Sequence, residues 1–292
     1  MHGGVIDGGP LGRGAAGASS AALFFDVDGT LVWADLDSLP KDGAFADILP
    51  APGVYRAFEQ LHARGHKTYL CTGRPLSLVS DRLLALGFDG VISAAGSCIS
   101  LGGVVVHETL IDKDVVVELA RLVLEAGTTA MFESRKTPLV VSGSLGEVPA
   151  FPGMPVAHSL GELRELAPDL EFCKVTQPSM LDAPSMMENE AMRQLLAERF
   201  DVCDMGLASE YSQKGVTKAS GIAKVMELEE IDRERTYAFG DSENDVPMFD
   251  AVKTRVAMGN AMPVLKARAD YVTTHAKDDG VPHALRHFGL IC

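Results

Sequence analysis

Short continuous apolar runs alternate along the chain with longer stretches in which apolar residues recur every three or four positions. AALFFDVDGT (residues 21–30) is an apolar burst that ends in Gly-Thr, the pattern of a strand buried on both faces that runs into a turn. After a loop punctuated by Pro and Gly, VYRAFEQLHARG (54–65) has helical spacing, with Gly65 where a helix stops. HKTYLCTGRP (66–75) predicts a second strand, PLSLVSDRLLALG (75–87) a helix opened by Pro75, and GVISAAGSCISL (90–101) another strand and turn. Strand and helix alternating in this way imply right-handed crossovers and a parallel sheet covered by helices, an α/β architecture.

From about Leu110 to Gly206 the alternation loosens. Helical patterns at 114–127 and 187–200 mix with strand-like runs at 128–134, 138–143 and 170–175, as expected of an α+β insertion. Regular alternation then resumes: helix at 216–229, strand at 235–241, helix at 245–252, strand at 255–259, helix at 261–269 and strand at 270–274. The expected organisation is a core of residues 21–109 and 207–292, interrupted by a second domain at 110–206. Residues 1–20 are Gly-rich without periodicity and predict a flexible tail.

Composition narrows the classes of partner. The 292 residues suffice for two modest domains, and 26 Lys and Arg against 40 Asp and Glu leave a net charge of −14. That charge disfavours nucleic acid and anionic membranes, and no basic patch offsets it. The five cysteines form no C-x-x-C pair and suggest neither a disulfide framework nor a zinc site. With no signal peptide pattern and no run of transmembrane length, the expected location is the cytoplasm.

Four constellations fall at the ends of predicted strands, where ligands bind in open α/β sheets. Asp26 and Asp28 end the first strand; on spacing alone a solvated D-x-D-G turn explains them equally well. Asp241 and Asp245 lie in GDSENDVPMF (240–249), four apart across a strand-to-helix turn, so both carboxylates can face one point, where a hard cation such as magnesium is suited by oxygen ligands. An acidic helix cap accounts for one of these acids but not for the cluster. Thr72, Gly73 and Arg74 join a strand to a helix, where a hydroxyl and backbone N–H groups favour an anion, although a capping Thr is the plainer explanation. Lys214 and Lys218 flank the start of a later helix, and a lysine can neutralise both a carboxylate and phosphoryl oxygens.

Taken in order, D-x-D-G-T, T-G-R, K and G-D-x-x-N-D, the set resembles the haloacid dehalogenase-like superfamily and, within it, the Cof-type branch of small-molecule phosphatases. The resemblance runs from about Leu23 onward. It implies a Rossmann-like core with an inserted α+β cap domain at 110–206, between the second and third motifs, which reads the substrate. It implies that Asp26 is the nucleophile that forms an aspartyl-phosphate and Asp28 the general acid and base, whose presence selects phosphoryl transfer over dehalogenation. Mg2+ is then held by Asp26, the Asp28 backbone carbonyl and Asp241, with Asp245 as a further or water-mediated ligand. Thr72 and Gly73 grip the phosphoryl group, Asn244 orients phosphate or substrate, and Lys218, ahead of Lys214, is the third-motif lysine. The implied partner is a small-molecule phosphate ester; a phosphosugar mutase and a non-catalytic phosphate sensor share the motif set. Two features depart from the pattern: Ala95 stands where relatives have Asn, and QPSMLDAPSMMENE (177–190) is rich in Met, either as an adaptable substrate-facing loop or as core filler.

Overall fold

The computed structural model describes residues 20–34, 48–144, 153–179, 183–204, 206 and 208–292. The tail expected at 1–20 lies almost wholly outside them.

The first apolar runs form β1 (Ala22–Phe25), β2 (Lys67–Cys71) and β3 (Gly90–Ser93), followed by β4 (Cys98–Leu101) and β5 (Val104–Glu108). The chain then supplies β6 (Thr129–Glu133), β7 (Leu139–Ser142), β8 (Val156–Ala157), β9 (Lys174–Pro178), β10 (Phe200–Asp204) and β11 (Ala208–Gln213). Last come β12 (Thr236–Gly240), β13 (Thr254–Ala257) and β14 (Tyr271–Val272). Two sheets result, in the orders β14-β13-β12-β1-β2-β3-β4-β5 and β10-β11-β9-β6-β7-β8.

In the first sheet every pairing from β14 to β3 is parallel, while β4 and β5 add an antiparallel edge. Fully buried Leu23, Phe24 and Phe25 place β1 at its centre, with Phe24 stacked on Tyr69 and Phe25 on Phe239. This is the α/β, Rossmann-like core expected. Helices Pro52–Ala63, Lys218–Leu228 and Gly280–His287 bury apolar faces in the same core, the last of them beyond any helix read from the pattern.

The second sheet is antiparallel apart from β7 with β8. Its core is separate: Ala130, Phe132, Val175 and Tyr211 point toward helices Lys113–Glu125 and Glu190–Arg199 and pack with Val116, Leu119, Met192 and Leu196. The insertion is therefore α+β. Strand β11 lies in this sheet, laddered with β9 to Ser212 and with β10 to Gln213.

Several elements differ from the pattern. The helix expected over 75–87 is only a 3₁₀ turn at Leu76–Leu78 and a short helix at Asp81–Leu84, because the Ser80 side chain accepts from the Leu83 N–H and restarts the chain there. The strand expected at 170–175 begins instead at Lys174, since Leu170 takes a left-handed φ of 51° that no strand accommodates. The helix expected over 187–200 starts at Glu190, capped by Asn189. Within the Met-rich stretch, Met186 is fully buried in the second core, so there it acts as filler.

Candidate active site

Asp26, Asp28, Thr72, Gly73, Lys218, Asp241, Asn244 and Asp245 lie together at one end of the first sheet. Asp26 directly follows β1, its N–H donating to the Phe239 carbonyl at 3.0 Å. The chain then turns sharply: the N–H groups of Leu31 and Val32 donate to the Val27 carbonyl, and Gly29 takes φ +83°. A Cβ on Gly29 would stand 2.2 Å from Asp241 Oδ2, so glycine is required for the D-x-D-G-T turn and the Asp241 carboxylate to approach.

Asp241 follows β12 and Asp245 ends the next 3₁₀ turn. Asp245 is fully buried, with Oδ2 accepting from the backbone N–H groups of Asp241 (2.9 Å) and Ser242 (3.1 Å). Lys218 opens its helix behind a capping box made by Thr217 and Ser220. Its ammonium, 1% exposed, donates to Asp26 Oδ1 at 2.6 Å and Asp245 Oδ1 at 2.5 Å. The Asn244 side chain is close by, its Oδ1 at 3.4 Å from Lys218 Nζ. Lys214, by contrast, is solvent-exposed after β11, away from this cluster.

Burial, and after it the charge of Asp245, raises the Asp26 carboxyl well above the ordinary range despite Lys218. The same two causes push Asp241 up to about 7. Burial opposes the charge on Lys218, but Asp245 and Asp26 together hold it well above its usual value. One lysine thus does not compensate three carboxylates, and the site calls for further positive charge. Asp26, Asp241 and Asp245 can each bring one oxygen within 4.8 Å of the others, an arrangement that fits a divalent cation. With its oxygens already engaged by Lys218 and two N–H groups, Asp245 suits an outer position better than an inner one.

Asp28 points away from that cluster. Arg74 grips it through Nε (2.9 Å to Oδ2) and a terminal nitrogen (2.6 Å to Oδ1), while its carboxylate stays 54% exposed to the cavity. The spacing of T-G-R marks an anion-binding turn but not this grip of Arg74 on Asp28. Thr72 is buried, its Oγ1 accepting from the Arg74 N–H at 3.1 Å. Behind this loop Ala94 and Ala95 take left-handed φ of 48° and 55° and donate N–H groups to the carbonyls of Arg74 (2.7 Å) and Thr72 (3.0 Å). Ala95 therefore shapes the loop through its backbone.

Between the sheets lies a cavity of about 230 Å³, lined on the core side by Asp26, Asp28, Thr72, Gly73 and Asn244. Its other wall comes from the second sheet: Met131, Glu133, Lys174, Thr176 and Glu210. These residues alternate along β6, β9 and β11 with the apolar ones facing the helices, and the register sets Glu133 opposite Lys174 and Thr176 opposite Glu210. Charged residues inside runs read as strands, Glu133 in TTAMFES and Lys174 in LEFCKV, were the signal for this wall, because an unpaired charge is not buried without function or partner.

A Rossmann-like parallel sheet carrying three converging acids and a buried lysine, with a polar wall facing them, narrows the chain to one hydrolase class. The sequence profile of the haloacid dehalogenase-like hydrolases matches residues 23–285, and the chain belongs to that family. Within it the chain stands with the phosphatases of the Cof-type branch. YkrA of Bacillus subtilis (strain 168), provisionally named a phosphatase, is 27% identical over 274 residues, covering 93% of this chain and 99% of its own. The solved structure of BT4131, described as a subclass IIB sugar phosphatase, superposes with a TM-score of 0.71 at 27% identity, over 93% of this chain and all of that one. A phosphoglycolate phosphatase of Methanothermobacter thermautotrophicus is 39% identical over 107 residues, 37% of this chain and 47% of its own length. Among the described residues no helix is long and apolar enough to cross a membrane.

Proposed function

We propose that the chain is a magnesium-dependent phosphatase that hydrolyses a small-molecule phosphomonoester through an aspartyl-phosphate on Asp26, with the second sheet as its cap. The observation that carries this reading is the buried Asp26 carboxylate at the centre of the sheet edge, 2.6 Å from Lys218 Nζ, beside Asp241 and open to the cavity. A magnesium ion held by Asp26, Asp241 and the Asp28 backbone carbonyl, with Asp245 behind them, would supply positive charge to the phosphoryl oxygens.

Asp26 attacks phosphorus in line with the leaving oxygen; the P–O bond to the leaving group breaks as the bond to Asp26 forms. Asp28 gives its proton to the leaving oxygen, then takes one from the water that attacks the aspartyl-phosphate, so phosphate departs and both acids return to their starting states. Lys218 holds Asp26 in position and offsets charge on the phosphoryl group. Thr72, Gly73 and Asn244 line the place where that group sits. Closure of the cap keeps bulk water from the acid pair. The five thiols, all unpaired, fit a reducing cytoplasm.

Phosphate release from p-nitrophenyl phosphate tests the reading. Turnover is expected with Mg2+ and not with excess EDTA, and Asp26→Asn is expected to abolish it while leaving the circular dichroism spectrum unchanged. Full activity in Asp26→Asn would remove Asp26 as nucleophile; interconversion of sugar phosphate isomers without phosphate release would mark a mutase instead.

A further inference from the structure

The chemistry proposed above occupies the core side of the cavity and leaves the opposite wall without a role. On that wall Lys174 Nζ lies 2.5 Å from Glu210 Oε1 and 3.3 Å from Glu133 Oε1, and donates to the Gly73 carbonyl at 2.7 Å. Thr176 Oγ1 donates to Glu133 Oε1 at 2.5 Å, whereas Glu133 Oε2 is buried with no hydrogen-bond partner. The side chains of Lys174, Glu133 and Glu210 are 1%, 2% and 9% exposed. Glu210 also reaches into the phosphate loop: a Cβ on Gly73 would sit 3.1 Å from its Oε1.

Two carboxylates around one ammonium give this wall a neutral or singly negative charge. Burial, opposed by Lys174 and reinforced by Glu210, pushes Glu133 up to about 7, so the second negative charge is partly present at neutral pH. The cations at the cavity are matched by acids of the protein itself: Arg74 by Asp28, Lys174 by Glu133 and Glu210, and Lys218 by Asp26 and Asp245. A second anionic group on a substrate, seated against the second sheet, would meet Glu210 and Glu133 at close range, with Lys174 already neutralised by them. Hydroxyl groups, in contrast, can donate to Glu210 or to Thr176 Oγ1, whose own proton goes to Glu133.

We infer that Glu210 and Glu133, held in place by Lys174, are specificity-determining residues that select phosphate esters with an uncharged, hydroxyl-bearing leaving group and reject esters carrying a second anion near the phosphate. The inference rests on the phosphatase reading and sharpens it. The low effective dielectric around buried Glu133 and Lys174 strengthens such like-charge discrimination.

The test compares kcat/KM, with Mg2+, for glycerol 1-phosphate and 2-phosphoglycolate, two esters of similar size that differ at the far end in hydroxyls against a carboxylate. The wild-type enzyme is expected to prefer glycerol 1-phosphate by about thirtyfold or more, and Glu210→Gln to shrink that preference by about tenfold. If Glu210→Gln does not fold, Glu133→Gln, an isosteric change at a carboxyl already partly protonated, is expected to shrink it by about threefold. Equal kcat/KM for the two esters in the wild type, or a preference unmoved in folded variants, overturns the inference. Absence of hydrolysis of p-nitrophenyl phosphate and of both esters instead overturns the phosphatase reading, and the inference with it.

Discussion

Asp28 and Arg74 form the contact that spacing alone conceals. A guanidinium fork fixes the carboxylate in direction as well as in charge. In the proposed mechanism Asp28 would have to turn one oxygen from Arg74 toward the substrate, so the pair would set where the acid stands. Arg74→Lys keeps the charge but loses the fork; kcat for p-nitrophenyl phosphate is expected to fall by about tenfold or more, with thermal stability little changed. Steady-state kinetics beside a melting curve checks both halves. Glu133 makes a second residue-level prediction. Its carboxyl is raised from 4.5 to about 7 by burial above all, so the folded state binds more protons than the unfolded one between those values. Stability from this residue is complete below about pH 4.5 and is lost as pH rises through about 7, an effect on the order of 3 kcal/mol. Denaturant titrations from pH 5 to 8 should show that slope in the wild type and a flatter one in Glu133→Gln. An equal slope in both proteins would remove the assignment.

At the scale of elements, the strands that end in chemistry were the legible ones. Apolar bursts such as LFF before Asp26 and YAF before Gly240 can only be central strands, and their carboxylates then have to lie at one sheet edge. Helices at 75–87 and 261–269 were overread, because apolar spacing does not reveal a side chain that caps mid-segment, as Ser80 does, or a helix that stops at Lys266 after one turn. The hairpin of β4 and β5 turns on Gly102 and Gly103, both at positive φ, and that Gly-Gly pair was a turn signal available in the sequence. The polar wall of the insertion was harder, since it arises from three strands distant along the chain and only their register joins Glu133, Lys174 and Glu210. One short element makes its own prediction. Ala95 holds a left-handed conformation that costs an L-residue about 1–2 kcal/mol. Ala95→Gly keeps the N–H that supports the Thr72 carbonyl and is expected to stabilise by up to about 1 kcal/mol, read as a rise in Tm, with KM unchanged.

For the whole molecule, two separate hydrophobic clusters meet across a cavity whose core side concentrates negative charge. A divalent cation that binds there should stabilise the folded chain in proportion to its occupancy. At about a hundred times its dissociation constant, Mg2+ is expected to add about 3 kcal/mol, a rise of about 5 °C in Tm, whereas Asp241→Asn should lose most of that shift. Scanning calorimetry with and without Mg2+ checks this, and an equal shift in the variant would remove Asp241 from the ligand set.

The alternation along β6, β9 and β11 has a consequence for how such a protein diversifies. Ala130, Phe132, Val175 and Tyr211 belong to the helix-packed face, while Met131, Glu133, Thr176 and Glu210 belong to the cavity. Heritable change can thus act on every second position with little interference from the rest. A library varied only at the cavity-facing positions should yield many folded members with shifted substrate range, whereas one varied at the intervening positions should yield mostly unfolded chains.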